Sequence, residues 1–260
     1  MKKILTLLLA LTMSFALVGC SSSSSSSSSD DKSSSDEKVY IIYSDNGFAP
    51  FEYLDTTTNE YVGIDMDLLA AIAEDQGFKY EMHNEGFDAS CGAVQSGQAD
   101  AMIAGMTIRE DREEIYDFSD PYFTDGQILT VAADSDITSV EDLAGKVVAV
   151  KNGTMGKEYA ESIADEIGFT MVSFDGSSEQ YAAVVNGQCA ACFEDRSVAA
   201  EAIRQGTALK LVGEVINPAG YGFAVQKGKN AELIEMFNKG LANVIANGTY
   251  DAILEKYGAK

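Results

Sequence analysis

The sequence predicts an α/β fold in two lobes, and three observations carry that prediction. From residue 39 onward, short apolar runs alternate with segments whose apolar residues recur at helical spacing. Glycines and Asp, Asn or Ser clusters close these runs, as they do where strands and helices end. The alternation restarts near residue 127 as a second series of similar length, although the two series do not align as a tandem repeat.

In the first series, Val39-Tyr40-Ile41-Ile42-Tyr43 is a near-continuous apolar strand. It runs into Ser44-Asp45-Asn46-Gly47-Phe48-Ala49-Pro50-Phe51, a loop by its Asp, Asn, Gly and Pro content. A helix follows, with Asp65 as its N-cap, Leu68, Leu69 and Ile72 on its buried face and Gly77 as its stop. Residues 78–82 read as a strand, and Phe87-Asp88-Ala89-Ser90 opens a helix through Val94 to Gly97. Ala101-Met102-Ile103-Ala104 is a buried strand stopped by Gly105. This order is the signature of a parallel sheet with helical crossovers. Past Gly105, Thr107 caps the next turn and Glu110 completes a capping box, with Arg112 in the first turn or just beyond. A guanidinium close to a hydroxyl and open backbone groups suits a carboxylate; a capped surface turn with solvated charges is the plainer alternative.

The second series begins with an apolar strand over 127–132 and a short helix over 139–143. Lys146-Val147-Val148-Ala149-Val150 is a strand leading into Lys151-Asn152-Gly153-Thr154-Met155-Gly156. A helix carries Tyr159, Ile163 and Ile167 up to Gly168, followed by a strand over 169–174, a helix over 179–185, a strand over 189–193 and a helix over 197–205. Residues 209–212 form a strand, Asn217-Pro218-Ala219-Gly220 a break, and 221–225 another strand. The chain ends in a helix with Leu233, Met236, Phe237, Leu241, Val244 and Ile245 on one face, then a last helix capped by Thr249.

Ahead of this lies an export signal over residues 1–19. Lys2 and Lys3 form its basic start, and an apolar stretch too short for a membrane span ends in Leu17-Val18-Gly19-Cys20. Leu-Val-Gly-Cys resembles a bacterial lipobox, which implies cleavage before Cys20 and acylation of that cysteine with a chain such as palmitate. Residues 20–37, with an unbroken serine run from Ser21 to Ser29, have nothing to bury and form a solvated tether. The membrane is therefore met through the lipid anchor only.

The chain holds 41 acidic and 18 basic residues, for a net charge of −23, which argues against nucleic acid and against docking on anionic lipid. Three further cysteines remain. Cys189-Ala190-Ala191-Cys192 matches C-x-x-C, but in a strand its side chains point to opposite faces and a local disulfide is geometrically poor. His83 is the only histidine, so no metal site is completed, and Cys91, Cys189 and Cys192 read as small buried hydrophobes. No cofactor and no metal is expected.

Ligands of open parallel sheets bind at the carboxyl ends of strands. The loops there carry Asp45 and Phe48, Phe87, the stretch from Gly105 to Arg112, the stretch from Lys151 to Gly156, and Glu194-Asp195-Arg196. Four motifs stand in order: Asn46-Gly47-Phe48-Ala49-Pro50-Phe51-Glu52; Gly63-Ile64-Asp65-Met66-Asp67-Leu68; Gly105 to Arg112; and Asp117-Phe118-Ser119-Asp120-Pro121-Tyr122. Together with Val148-Ala149-Val150-Lys151 and Asn247-Gly248-Thr249-Tyr250, they resemble the family 3 extracellular solute-binding proteins, the polar amino-acid receptors of bacterial ABC importers, from about Lys38 to the end.

That resemblance implies the two-lobed, type II periplasmic-binding-protein-like fold, with two hinge strands near 128–132 and 221–225. Lobe I is expected over 38–128 plus 222–260 and lobe II over 129–221. The implied partners are a free amino acid and a membrane permease, with the protein acting as a monomer. By position, Arg112 grips the ligand's α-carboxylate with help from Thr107 and the N–H groups of Thr107 and Met155, next to Thr154. Asp195, the Gly105 carbonyl and Thr107 take the α-ammonium, and Phe48 and Phe87 sandwich the side chain. Helix N-capping is the alternative for Asp195 and ordinary core packing the alternative for the two phenylalanines.

Asp45 and Lys151 fall where the glutamine-binding members face the ligand's side chain. A carboxylate accepts and an ammonium donates, which matches a carboxamide. Glutamine is the expected ligand, and cystine or a cationic amino acid the alternative, since Glu194 and the general acidity suit a cation. The family usually has a small residue where Met155 stands. Two rival functions are a periplasmic dehydratase-like enzyme using Glu194 or Glu85 as general acid, and a tethered amino-acid sensor. No base–nucleophile pair accompanies those glutamates, so the chain reads as a non-enzyme.

Overall fold

The computed structural model describes residues 38–260. The expected signal peptide, the lipidated Cys20 and the tether lie outside the described residues. In chain order the elements are β1 (Val39–Asp45), β2 (Gly47–Phe48), β3 (Glu52–Asp55), β4 (Glu60–Val62), α1 (Ile64–Gln76), β5 (Lys79–Glu85), α2 (Phe87–Gln95), β6 (Ala101–Met102), α3 (Glu110–Glu113) and β7 (Tyr116–Phe118). There follow β8 (Phe123–Ala132), a 3-10 turn at Glu141–Leu143, β9 (Val147–Lys151), α4 (Met155–Ile167), β10 (Thr170–Phe174), α5 (Ser177–Val185), β11 (Ala191–Asp195) and α6 (Arg196–Arg204). The chain closes with β12 (Leu209–Tyr221), β13 (Ala224–Gln226), α7 (Ala231–Ala246) and α8 (Thr249–Lys256).

Two five-stranded sheets organise these elements, one per lobe, in the orders β5-β1-β6-β13-β7 and β10-β9-β11-β8-β12. In each, four strands run one way and one is reversed, β13 in the first sheet and β8 in the second. The apolar periodicity of α1 places Leu68, Leu69 and Ile72 fully out of solvent, against Ile42, Val225 and Phe237. Each such side chain contributes about 1.5–3 kcal/mol when buried. In the second lobe, Val148, Val150, Leu143 and Phe193 form the corresponding layer under α4. β8 and β12 pair along most of their length; Phe123 and Tyr221 at one end of this ladder join the first lobe's core, while Leu129 and Val212 join the second's.

The register shows a correspondence that composition alone conceals. β1 meets β6 as Ile42↔Ala101 and Tyr43↔Met102, and β9 meets β11 as Val148↔Ala191 and Ala149↔Cys192. The turns before β6 and β11 share their hydrogen bonds: Gly97 N–H to Val94 O and Gln98 N–H to Ala93 O, against Gly187 N–H to Val184 O and Gln188 N–H to Ala183 O. Continued along the strands, this equates Asp45 with Lys151, Ala104 with Glu194 and Gly105 with Asp195. It also explains the C-x-x-C spacing: Cys189 and Cys192 take the packing positions of Ala99 and Met102.

Several expectations are corrected. Cys189 precedes β11, so the opposite-face argument does not apply; both cysteines are free and buried in one apolar cluster, and Cys91 is free and partly exposed. α1 begins at Gly63 without a side-chain cap, because Asp65 turns inward to other donors. Thr107 forms no capping box; α3 starts at Glu110 after Arg109, and Thr107 bridges to Tyr221 as a strand residue. The stretch read as a loop at 44–51 enters a three-stranded sheet, β2-β3-β4. The break expected at 217–220 is a bulged part of β12, where the register slips between Ile216 and Ala219. The last helix is preceded by Gly248, with Thr249 as its first residue.

Candidate functional site

At the carboxyl end of the first sheet, β6 delivers Ala104 and Gly105. Gly105 has φ +52°, and a Cβ there would lie 2.4 Å from Cε1 of Phe48, so only glycine lets the ring close over this backbone. Its N–H donates to Asp65 Oδ2 at 2.9 Å, and the Tyr122 hydroxyl donates to the same oxygen at 2.8 Å. That leaves the Gly105 carbonyl, not its amide, for a partner in front. The bridge between Thr107 and Tyr221 runs through Gly222 N–H to Met106 O and Ile108 N–H to Gly220 O. The groups of Thr107 itself therefore face the opposite side, where its carbonyl accepts from Arg112 Nη1 at 3.0 Å.

The second sheet brings β9 and β11 to the same place. Lys151 ends β9, and Thr154 caps α4: its Oγ1 accepts from Lys157 N–H at 3.3 Å and donates to Lys151 O at 2.8 Å. Capping leaves the first N–H groups of α4, starting with Met155, without helical acceptors beside the positive end of the helix dipole. Asp195 stands at the N-cap position of α6 yet does not cap it; Asp125 Oδ2 accepts the Ser197 N–H instead, at 2.9 Å. The Asp195 carboxylate is thus directed elsewhere and receives a hydrogen bond from Gln127 Nε2.

The halves meet. Lys151 Nζ forms an ion pair with Asp45, each side chain only 2% exposed. Nζ also lies 5.0 Å from the Phe48 ring centroid and 6.0 Å from that of Phe87. Arg112 donates from Nη2 to Gly153 O at 2.8 Å, its guanidinium 5.4 Å from the Phe87 centroid. Arg109 pairs with Glu158 of α4, and its Nη1 lies 2.8 Å from Met155 Sδ. Asp45, Phe48, Phe87, Gly105, Thr107, Arg112, Lys151, Thr154, Met155 and Asp195 line one small cavity, to which Ala104 adds a methyl group. All ten positions singled out in the sequence therefore converge. Phe48 and Phe87 are also core residues, both buried. A larger groove of about 1270 Å³ contains none of the ten, and its Asp134, Asp136, Asp142 and Lys146 are exposed.

Burial shapes the charges. Desolvation, then Glu194 and Asp125, push the Asp195 carboxyl up to about 7. Desolvation raises Asp65 to about 6, although its bonds to Gly105 and Tyr122 oppose this. Desolvation lowers the Lys151 ammonium pKa, but Asp45 and Glu194 outweigh it and the net shift is upward. Burial and then Arg109 pull the Arg112 guanidinium down. The cavity therefore presents a cation with open amides, a carboxylate at the end of β11, and a buried ion pair.

Sequence reasoning missed the supporting roles behind this lining. Gln127 holds Asp195, and Asp65 and Tyr122 hold Gly105. Asp65 and Tyr122 were seen only as a helix cap and a motif residue, and Glu194 only as a rival general acid or a partner for a cation, because their contacts are long-range and have no local pattern.

The model of the bacterial extracellular solute-binding proteins, family 3, matches residues 40–260. The arginine-binding extracellular protein ArtP of Bacillus subtilis (strain 168) is 31% identical over 260 residues, covering 99% of this chain and 98% of that protein. The ABC transporter glutamine-binding protein GlnH of the same organism is 32% identical over 206 residues, 77% of this chain and 74% of its own. Among solved structures, an ancestral arginine-binding protein bound to glutamine is 39% identical with a TM-score of 0.79, covering 85% of this chain and 98% of that one.

Proposed function

The chain belongs to the bacterial extracellular solute-binding proteins, family 3, and from that membership we propose that it is the extracytoplasmic binding component of an ABC importer, with glutamine as its ligand. The observation that carries the reading is the convergence on one cavity of Arg112, Asp195 and the Asp45–Lys151 pair. A zwitterion with a carboxamide side chain meets each of these with its complement. Arg112, with the amides at Thr107 and Met155, takes the α-carboxylate as a bidentate partner. Asp195, the Gly105 carbonyl and Thr107 take the α-ammonium; Phe48 and Phe87 flank the side chain; Asp45 accepts from and Lys151 donates to the carboxamide. Thr154 holds the α4 N-terminus in place.

Lobe I (38–128 plus 222–260) binds first and lobe II (129–221) closes over the ligand by flexing β8 and β12. The closed form is what a membrane permease receives. Acylated Cys20 keeps the monomeric protein anchored at the cell membrane, outside the cytoplasm. The protein binds without turnover. A cationic ligand is the second reading, favoured by Glu194 and Asp45 both acting on Lys151 and by the arginine-binding names of several relatives.

A thermal-shift panel of the twenty amino acids, cystine and ornithine tests this, since a ligand bound only by the folded state raises stability with concentration. Glutamine is expected to give the largest shift, and a larger one with arginine would establish the second reading. A flat panel would sink both. Arg112→Lys is expected to lose binding about 30- to 100-fold, because a point charge cannot reproduce a bidentate fork; calorimetry showing unchanged affinity would remove Arg112 from the carboxylate site.

A further inference from the structure

Glu194 has no role in the ligand scheme above, yet it is placed with unusual care for a buried carboxylate. Its residue is 4% exposed, on the strand end where the first lobe carries Ala104. Extending the β9–β11 register from Ala149↔Cys192 brings Glu194 level with Lys151, with both side chains on the α5 face. From α5, the Ser177 and Tyr181 hydroxyls lie against it without hydrogen-bond geometry, and Gln180 spends its Nε2 on Phe193 O at 3.3 Å. Glu194 Oε1 accepts from the Asp195 N–H at 3.1 Å, while Oε2 is buried without a hydrogen-bond partner among the described residues. The Lys151 ammonium is ion-paired with Asp45 across the cleft, and Glu194, on the neighbouring strand at the same level, adds a second negative charge to its surroundings, as does Glu52 to a smaller degree.

We propose that Glu194 sets the charge at the side-chain end of the cleft and thereby selects glutamine over glutamate. The proposal rests on the amino-acid reading above. Asp45 and Lys151 alone form a neutral pair, and an acidic side chain would find a free share of the Lys151 charge. With Glu194 in place, the trio Asp45, Lys151 and Glu194 is net negative when ionised, so the ammonium is already satisfied. An incoming carboxylate then meets excess negative charge in a poorly screened site. The carboxamide, being neutral, escapes that penalty. Lys151 in turn keeps the extra negative charge from serving a guanidinium directly. Because Glu194 acts through Lys151, it is a positioning residue, and its effect must depend on ligand charge.

The experiment is calorimetric binding of glutamine, glutamate and arginine to the full chain, to Glu194→Gln and to Glu194→Asp. In Glu194→Gln, affinity for glutamate relative to glutamine is expected to rise at least about tenfold, because a buried unit charge on the strand next to Lys151, at low effective dielectric, is worth that much. Arginine is expected to fall relative to glutamine, and Glu194→Asp to keep the original order. A purely structural role would shift all three ligands alike, and that result overturns the proposal. Should Glu194→Gln fail to fold, Glu194→Ser carries the test, with the same rise in glutamate affinity relative to glutamine expected. A constant ratio overturns the proposal. An unmodified protein that binds none of the three overturns the amino-acid reading itself, and this proposal with it.

Discussion

At equivalent points of their sheets the first lobe places Asp45, Ala104 and Gly105 where the second places Lys151, Glu194 and Asp195. The first set is held from within its own lobe: Asp65 and Tyr122 fix Gly105, and Asp45 Oδ1 accepts the N–H of Asn46 at 2.6 Å. In the second set Lys151 reaches across the cleft to Asp45, while Asp195 takes a hydrogen bond from Gln127 and Glu194 one from the Asp195 N–H. One supersecondary plan thus yields Ala104 and Gly105, which carry no charge, in one lobe and two carboxylates in the other, with an ion pair joining the equivalent positions Asp45 and Lys151.

The largest effect expected from this difference lies in the ion pair that joins the equivalent positions. Replacing one partner of a buried pair leaves an uncompensated charge, which costs about 3–5 kcal/mol, whereas removing both together is close to neutral. Lys151→Met alone is expected to destabilise the protein strongly by thermal unfolding, because Asp45 then faces Glu194 with no cation between them. Asp45→Asn combined with Lys151→Met is expected to recover most of that loss. If the two single changes simply add, the lobes do not depend on each other through this pair, and the contrast between them fails.

A second, smaller effect sharpens the contrast through pH. Gly105 cannot titrate, but its counterpart Asp195 can, with its carboxyl pushed up to about 7 by burial, Glu194 and Asp125. An ammonium needs the carboxylate, so binding near neutrality expels a proton, and affinity is expected to fall as the pH drops from 8 to 5, by up to about tenfold per pH unit. For the fold alone the sign reverses. A carboxyl whose folded pKa lies above its unfolded value of about 3.9 stabilises below that value, and the contribution is lost as the pH rises through about 7. Asp65, at about 6, adds in the same direction. Calorimetry in buffers of differing ionisation enthalpy measures the released proton; a heat independent of buffer at pH 7 would contradict the assignment of Asp195.

These residues differ in how far they could be read from sequence. Lys151 and Asp195 follow strand-like runs directly, so periodicity and the rule that ligands gather at strand ends placed them, whereas Arg112 lies in the turn beyond Gly105 and its role came from the family resemblance. The roles of Asp65 and Thr107 were misread because each has a short-range use, helix capping, that a long-range partner displaced: Gly105 for Asp65 and the bridge to Tyr221 for Thr107. Propensity sees only neighbours in the chain. The β2-β3-β4 sheet was missed for a related reason, since its strands are two to four residues long and sit among Asn, Gly, Pro and Thr. The equivalence of Asp45 with Lys151 lay beyond composition altogether, because matching packing positions are filled by different residues and only the register reveals them.

The smallest effect concerns the rim of the cleft, where Arg109 of the first lobe reaches Glu158 and Met155 of the second. Glu158 is 46% exposed although Arg109 is only 16% exposed, and Arg109 also lies 2.8 Å from Asp111, so the guanidinium is shared and the pair is screened from the Glu158 side. Pairs of this kind are worth about 0.2–1 kcal/mol. Arg109→Ala is therefore expected to weaken ligand binding only about two- to fivefold, within that range. The loss should sit in a faster dissociation rate, because the contact forms only when the lobes meet and leaves the encounter with lobe I untouched. It should also fade at high salt, as solvent-accessible ion pairs do, whereas the loss from Lys151→Met should persist. An Arg109→Ala defect that is large and indifferent to salt would mean that the rim, not the buried pair, holds the lobes together.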